Sequence, residues 1–271
     1  MSTAEIESRR RSTIEPELIV GPPGHLELPE SDGRIVENFN EHPQGMILSD
    51  SLLPVLNRKH PDGRFALGRD SGIYYRWQPD EPPLSGAISP DWYYVPDVPP
   101  TLEGEYRRSY VLWRELVAPL IVLEFASGDG SEERDRTPPK GKFWVYERAI
   151  RPAYYGIFIV RDGTLEMHEH VGAAFRRMVP NERGHYPVPE LGVELGVWHG
   201  RVENLEFPWM RWFDADGRLL PSGHEIADQE RQRAEVEHRR AEAERQRAEA
   251  ERQRAERLVA QLRAMGVEPD A

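Results

Sequence analysis

The sequence has no cysteine, no long apolar run and no excess of positive charge. Without cysteine, the chain can form neither disulfide bonds nor thiolate metal sites. None of its apolar segments approaches the roughly 20 residues that a membrane-spanning helix needs, and the N-terminal segment does not resemble a signal peptide. These absences predict a cytoplasmic protein that makes no contact with a membrane.

The charge balance is acidic, with 47 Asp and Glu against 35 Lys and Arg and a formal net charge of -12. The C-terminal tail does not account for this excess, because residues 225–271 carry twelve acidic residues against ten arginines. Proteins that bind nucleic acid through phosphate contacts usually show a basic footprint. Broad nonspecific binding of nucleic acid is therefore disfavoured, and the candidates for a local basic patch are Arg107-Arg108 and Arg176-Arg177.

Composition divides the 271 residues into three segments. Residues 1–44 contain an arginine cluster and a Gly-Pro-Pro-Gly run, which predict a weakly ordered arm. Residues 45–224 hold the apolar and aromatic segments of a folded domain. Residues 225–271 consist mainly of Ala, Glu, Arg and Gln, which favour a long charged helix. Its alanines recur every seven residues, so a solvated helix and a weakly pairing coiled coil, which would make a homodimer, both fit.

The first part of the middle domain contains a helical pattern and two strand-like segments. The apolar residues between Met46 and Lys59 predict an amphipathic helix that Pro54 interrupts. Phe65 to Gly68 and Gly72 to Trp77 predict two strands that a turn at residues 69–71 joins.

Several further segments of the middle domain have strand character. Leu120 to Leu123 is a short apolar run that is typical of a buried strand. Asp91 to Val95 begins after Pro90 and is rich in aromatic residues, which favour strands. Tyr154 to Val160 is apolar, and Thr164 to His170 alternates as a half-buried strand does. We expect an α+β or α/β fold with a mixed sheet and flanking helices.

Two carboxylates and one lysine stand at notable places in this pattern. Asp91 starts one predicted strand, Glu124 follows the apolar run of the next, and Lys142 comes after a Gly- and Pro-rich loop. A carboxylate within an apolar strand is costly unless a cation offsets its charge. An ordinary ion pair would do so, and so would a divalent cation held by two carboxylates.

These segments resemble the Uma-two family of restriction endonucleases, within the PD-(D/E)XK nuclease superfamily. The matching motifs are Pro90-Asp91, the E-x-x-S run Glu124 to Ser127, and the K-x-x-x-Y run Lys142 to Tyr146, and the similarity extends over about residues 45–220. The resemblance implies a restriction-endonuclease-like fold and an endonuclease acting on nucleic acid, with DNA favoured. It further implies that Asp91 and Glu124 bind Mg²⁺ or Mn²⁺, that Lys142 assists water activation and charge stabilisation, and that Ser127 supports the site.

Two departures from the family pattern keep other interpretations open. The superfamily usually has its lysine two residues after the glutamate, where this chain has Ala126, and Lys140 competes with Lys142 for that role. The aspartate that ends the third core strand corresponds to Phe158. The alternative hypothesis is a catalytically silent nuclease-fold scaffold that binds a partner and assembles through its C-terminal helix.

Overall fold

The computed structural model describes residues 22–24, 27–28 and 40–265. The chain divides into two compact units, Met1–Leu220 and Pro221–Ala271. Most of the arm predicted over residues 1–44 lies outside the described ranges, although the first helix already begins at Glu41. The domain limits deduced from composition stay predictions.

Helices and strands alternate irregularly along the first unit. The helices are α1 (Glu41–Lys59), α2 (Leu112–Glu115), α3 (Lys142–Trp144), which a π-helical turn Val145–Ile150 extends, and α4 (Gly223–Ala264). The strands are β1 (Phe65–Arg69), β2 (Ile73–Tyr74), β3 (Ala87–Ile88), β4 (Trp92–Pro96), β5 (Tyr110–Val111), β6 (Ile121–Ala126), β7 (Tyr154–Ile159), β8 (Thr164–Val171), β9 (Ala174–Arg177), β10 (Tyr186–Val188), β11 (Val193–Val202) and β12 (Leu205–Asp214).

A six-stranded mixed sheet forms the centre of this unit, in the order β1-β4-β6-β7-β8-β9. Strands β6 and β7 are parallel, and the other neighbours in this sheet are antiparallel. Strands β10 to β12 form an antiparallel meander, and β3-β2-β5 make a third, smaller sheet. This mixed architecture with flanking helices is consistent with the restriction-endonuclease-like fold, and it confirms the predicted fold class.

The first two strands differ from the sequence expectation. A turn at residues 69–71 suggested that β1 and β2 form a continuous pair, but β1 pairs with β4 whereas β2 pairs with β3 and β5. Gly68 explains the tight packing of β1 on β4, because a Cβ there would lie 2.0 Å from the Tyr93 ring. The chain therefore leaves the central sheet directly after β1.

The two faces of β6 pack against different layers. Leu123 and Phe125 belong to the core cluster that contains the α1 leucines Leu48, Leu52 and Leu56. Val122 and Ala126 belong to the cluster that contains Phe143 and Tyr146. Since side chains alternate along a strand, Glu124 lies on the same face as Val122 and Ala126, under the segment that begins at α3.

Helix α1 is longer than its sequence pattern indicated. It starts before the apolar positions and continues through Pro54, which had been expected to interrupt it. Leu48, Leu52 and Leu56 are fully buried at i, i+4 spacing, so the helix is anchored to the core on both sides of the proline. This burial outweighs the loss of one backbone hydrogen bond at Pro54.

The second unit is built around α4, a single helix of 42 residues with no buried residue. Ser222 caps it and forms a capping box with Glu225. At 1.5 Å per residue the helix is about 63 Å long, and it confirms the long C-terminal helix predicted from composition. Gly266 and Pro269, whose residue types are typical of the end of a helix, lie outside the described residues. Pairing of α4 with another helix stays a prediction. Among the helices that the structure describes, none has the length and apolar character required to cross a membrane.

Candidate active site

The ladder between β4 and β6 places two carboxylates across from each other. Trp92 pairs with Leu123 in the antiparallel register, so Asp91, one residue before β4, lies opposite Glu124. Opposed residues of an antiparallel pair project to the same face of the sheet. The backbone N–H of Phe125 donates a hydrogen bond to Asp91 Oδ2, which fixes the aspartate beside the backbone of the glutamate strand.

Glu124 is buried, with 1% of its surface exposed, and two side chains of the next helix reach it. Lys142 Nζ lies 3.0 Å from Glu124 Oε2, and the Tyr146 hydroxyl lies 2.5 Å from Oε1. Helix α3 begins at Lys142, and Tyr146 follows one turn later on the same side of the helix. The K-x-x-x-Y spacing therefore delivers one hydrogen-bond donor to each oxygen of the glutamate.

A further carboxylate reaches the same lysine from the loop between β6 and α3. Glu133 Oε1 lies 3.1 Å from Lys142 Nζ, and only 8% of Glu133 is exposed. Its neighbour Glu132 lies 3.8 Å away, and its side chain is 70% exposed. Lys142 thus stands between two buried carboxylates.

Asp91 also has an acidic neighbour on α1. Burial raises the pKa of Asp91 far above its usual value, and the charge of Glu124 and a hydrogen bond with Glu41 raise it further. The Phe125 amide acts in the opposite direction. This environment favours a protonated Asp91 in the metal-free chain.

The charges around Glu124 influence one another. Burial raises the pKa of Glu124, although Lys142 and Tyr146 both act to lower it. For Lys142, burial acts to lower the pKa, but attraction to Glu124 and Glu133 outweighs burial, so the net shift is upward. Burial raises the pKa of the Tyr146 hydroxyl, and the negative charge of Glu124 adds to that effect. These shifts favour a lysine ammonium beside a neutral tyrosine.

The structure does not bring every predicted residue to this site. Ser127 is exposed, one residue beyond the end of β6. Lys140 is exposed at the end of the loop, where its charge acts on Glu81. Phe158, which stands where the family has an aspartate, is buried in the core. Of the two candidate lysines, Lys142 is the one in contact with Glu124.

Sequence reasoning missed Glu41 and Glu133. Glu41 lies in the first turn of α1, fifty residues before Asp91, and no motif connects the two. Glu133 is one of several charged residues in its loop, and no periodic pattern distinguishes it from Glu132. An amphipathic segment ahead of the Asp91 strand was the one signal that could have directed attention to the start of α1.

The donor set fits a hard cation that keeps water ligands. Within residues 22–24, 27–28 and 40–265, no three or more His, Cys, Asp or Glu form a ready cage for a metal ion. Mg²⁺ seldom uses such a cage, because it keeps several waters and binds one or two carboxylates. Asp91 and Glu124 offer carboxylates of this kind, and their mutual repulsion would be relieved by a cation.

Three arginines of the candidate basic patches form ion pairs. Arg107 binds Glu115 through its Nε and Nη2 atoms at 2.7 to 3.1 Å. Arg176 lies 2.8 Å from Glu169, and Arg177 lies 3.7 Å from Glu166. These ion pairs reduce the positive charge that the three arginines offer to phosphate.

Comparison with known proteins identifies the family of the chain. A search of curated proteins found no relative. The family model for Uma2, described as "Putative restriction endonuclease", matches residues 15–205 and so covers more than two thirds of the chain. This range includes Asp91, Glu124, Lys142 and the sheet that holds them. The chain therefore belongs to the Uma2 (Uma-two) family.

Proposed function

We propose that this chain is a Mg²⁺- or Mn²⁺-dependent endonuclease that hydrolyses phosphodiester bonds of nucleic acid, with DNA as the favoured substrate. The family supports a nuclease acting on nucleic acid. The observation that carries the proposal is the convergence of Lys142 and Tyr146 on the buried Glu124, on the face of the sheet that Asp91 shares.

Asp91 and Glu124 would hold the cation in this proposal. When bound, the ion supplies Lewis acidity that polarises the scissile phosphate and lowers the pKa of water. Asp91, whose pKa is raised by burial, would give up its proton when the cation binds. Tyr146 would hold the Glu124 carboxylate in one orientation, since its hydroxyl donates to Oε1.

Lys142 would act as a fixed positive charge. Its ammonium would donate a hydrogen bond to the attacking water and stabilise the negative charge that develops on the phosphate. The upward pKa shift of Lys142 supports a role as cation over a role as base.

A second candidate function is a silent scaffold that binds a partner protein. The ion pairs of Arg107 and Arg176 and the net charge of -12 favour it. In that case the buried ions around Lys142 would serve stability alone. The two functions differ in whether Mg²⁺ or Mn²⁺ produces any cleavage.

Plasmid nicking by the full chain tests the proposal. Wild-type protein should cut supercoiled plasmid with Mg²⁺ or Mn²⁺ and not with EDTA. Glu124→Gln, which keeps the shape of the side chain, should lower the rate about 100-fold or more, as loss of a transition-state contact does. The exposed Lys140→Met variant is the control and should cut like wild type. Absence of metal-dependent nicking, or full activity in Glu124→Gln, would overturn the proposal in favour of the scaffold.

A further inference from the structure

Carboxylates in loops are usually in contact with water, but Glu133 is largely buried. Loops run over the surface, where acidic side chains are hydrated. Glu133 lies in the loop 128–141, and only 8% of it is exposed. Burial of a charge is expensive unless a partner offsets it. Lys142 Nζ, 3.1 Å away, is that partner.

The loop around Glu133 is fixed at several points. The Tyr155 hydroxyl donates to the backbone oxygen of Glu133 at 2.9 Å. The next residue, Arg134, binds Glu166 at 2.5 Å, and its Nη1 donates to the backbone oxygen of Asp129 at 2.6 Å. These bonds hold the backbone at Glu133 by contacts that do not involve the lysine.

A single carboxylate would leave the lysine poorly located. Lys142 has a flexible four-carbon stem, and its ammonium is a compact charge with three donors. Glu124 on β6 binds one of those donors and Glu133 binds another, at 3.0 and 3.1 Å. Because the two oxygens belong to separate segments of the chain, the Nζ atom is held in place between them.

We propose that Glu133 is a positioning residue, which holds the Lys142 ammonium against Glu124 so that its third N–H is directed at the reacting water or phosphate. This inference rests on the nuclease function proposed above. It adds to that function a residue from the loop that acts only through the lysine. The adjacent Glu132 forms only a longer and more exposed ion pair with Nζ, at 3.8 Å and with 70% of its side chain exposed, so it restrains the ammonium much less than Glu133 does.

Because the chain has few lysines, the position of the Lys142 ammonium can be tested without measuring nuclease activity. The sequence has three lysines, Lys59, Lys140 and Lys142, and the first and second of these are exposed. In ¹⁵N-lysine protein, the held Lys142 ammonium should give a signal that exchanges slowly with water. Glu133→Ala should abolish that protection, Glu133→Gln should reduce it, and Glu132→Ala should leave it unchanged. An unchanged Lys142 signal in Glu133→Ala overturns the inference.

Kinetics supply the second readout. In plasmid or oligonucleotide cleavage, Glu133→Gln should lower kcat about 10- to 100-fold, the effect of misplacing a reacting group by about 1 Å, while KM changes less than about twofold. Glu133→Asp, which keeps the charge, should recover part of kcat, and Glu132→Gln should match wild type. A fall in kcat that leaves Lys142 protection intact contradicts positioning through the lysine. If wild type does not cut, the nuclease proposal fails by itself, and the ammonium signal still decides whether Glu133 holds Lys142.

Discussion

Replacement of Lys142 by methionine tests the candidate site through stability alone. Methionine keeps most of the apolar stem and removes the charge, so Glu124 and Glu133 lose their shared cation. Removal of one partner from a buried ion pair costs about 3–5 kcal/mol. The Lys142 side chain is 22% exposed, so the lower end applies, and protonation of one stranded carboxylate relieves part of it. We expect a loss of about 2–3 kcal/mol at pH 7 in EDTA.

The measurement is a thermal melt followed by tryptophan fluorescence. All seven tryptophans precede residue 221, so the signal reports only the first unit. At about 2–4 °C per kcal/mol for a domain of this size, Lys142→Met should lower Tm by roughly 5–10 °C. The drop should shrink toward pH 5, where the stranded carboxylates take up protons more readily.

A double-mutant cycle separates the ion pair from general damage. Glu124→Gln removes one stranded charge, so the Glu124→Gln/Lys142→Met protein should be more stable than additivity allows, by about 1–2 kcal/mol. Lys140→Met is the matched control and should stay within about 0.5 kcal/mol of wild type, because Lys140 is exposed. Equal losses in Lys142→Met and Lys140→Met, or an additive cycle, would refute the geometry described for Glu124.

Three further predictions concern the binding of Mn²⁺, the stability contributed by Glu194 and the removal of α4. Because the raised pKa of Asp91 keeps its carboxyl protonated, Mn²⁺ binding should release a proton. Calorimetry should then show an affinity for Mn²⁺ that rises up to about tenfold per pH unit between pH 6 and 8. An affinity that does not change with pH would contradict this prediction. Burial acts to raise the pKa of Glu194, but hydrogen bonds with Arg183, His185 and Asn181 lower it overall. The stability that these hydrogen bonds contribute is present above the unfolded pKa of about 4.3 and is lost as pH falls through the folded pKa. In urea titrations, Glu194→Gln should therefore lower the free energy of unfolding by about 2 kcal/mol at pH 7 and by much less at pH 3. Deletion of residues 221–271 should leave the cooperative fluorescence melt intact, since α4 buries no residue, and loss of cooperativity would show that it belongs to the folded core.

The strands and the long helix could be predicted because their signals are local. Val122 and Leu123 belong to an apolar run that favours a buried strand whichever strand lies beside it. Helix α4 consists of strong helix formers along its whole length. Pairing partners are different, because they depend on contacts distant in sequence. The turn after β1 looked like a hairpin, yet β1 pairs with β4. The close approach of Gly68 to the Tyr93 ring decides this, and neither residue indicates it alone.

The same limit applies to the acidic neighbours of the site. Asp91 and Glu124 could be proposed as site residues from the sequence. Asp91 directly precedes a predicted strand and Glu124 follows an apolar run, and a charged residue is unusual at such positions. Glu41 comes close to Asp91 only through the packing of α1 on the sheet, which is directed by leucines located more than one helical turn away. Glu133 depends on loop bonds made by Tyr155 and Arg134, so its burial follows from tertiary contacts.

The lysine in contact with Glu124 comes from α3 and not from position 126, two residues after the glutamate. Ala126, at the usual lysine position, is 2% exposed and packs in the cluster that contains Phe143 and Tyr146. A small residue there allows the aromatic face of the next helix to approach β6, and that approach lets Tyr146 reach Glu124. A lysine at position 126 would occupy the volume that those rings fill. Lys142, at the first position of α3, brings an ammonium to the same carboxylate from the side, so the spacing of the motif changes while a positive charge beside Glu124 is retained.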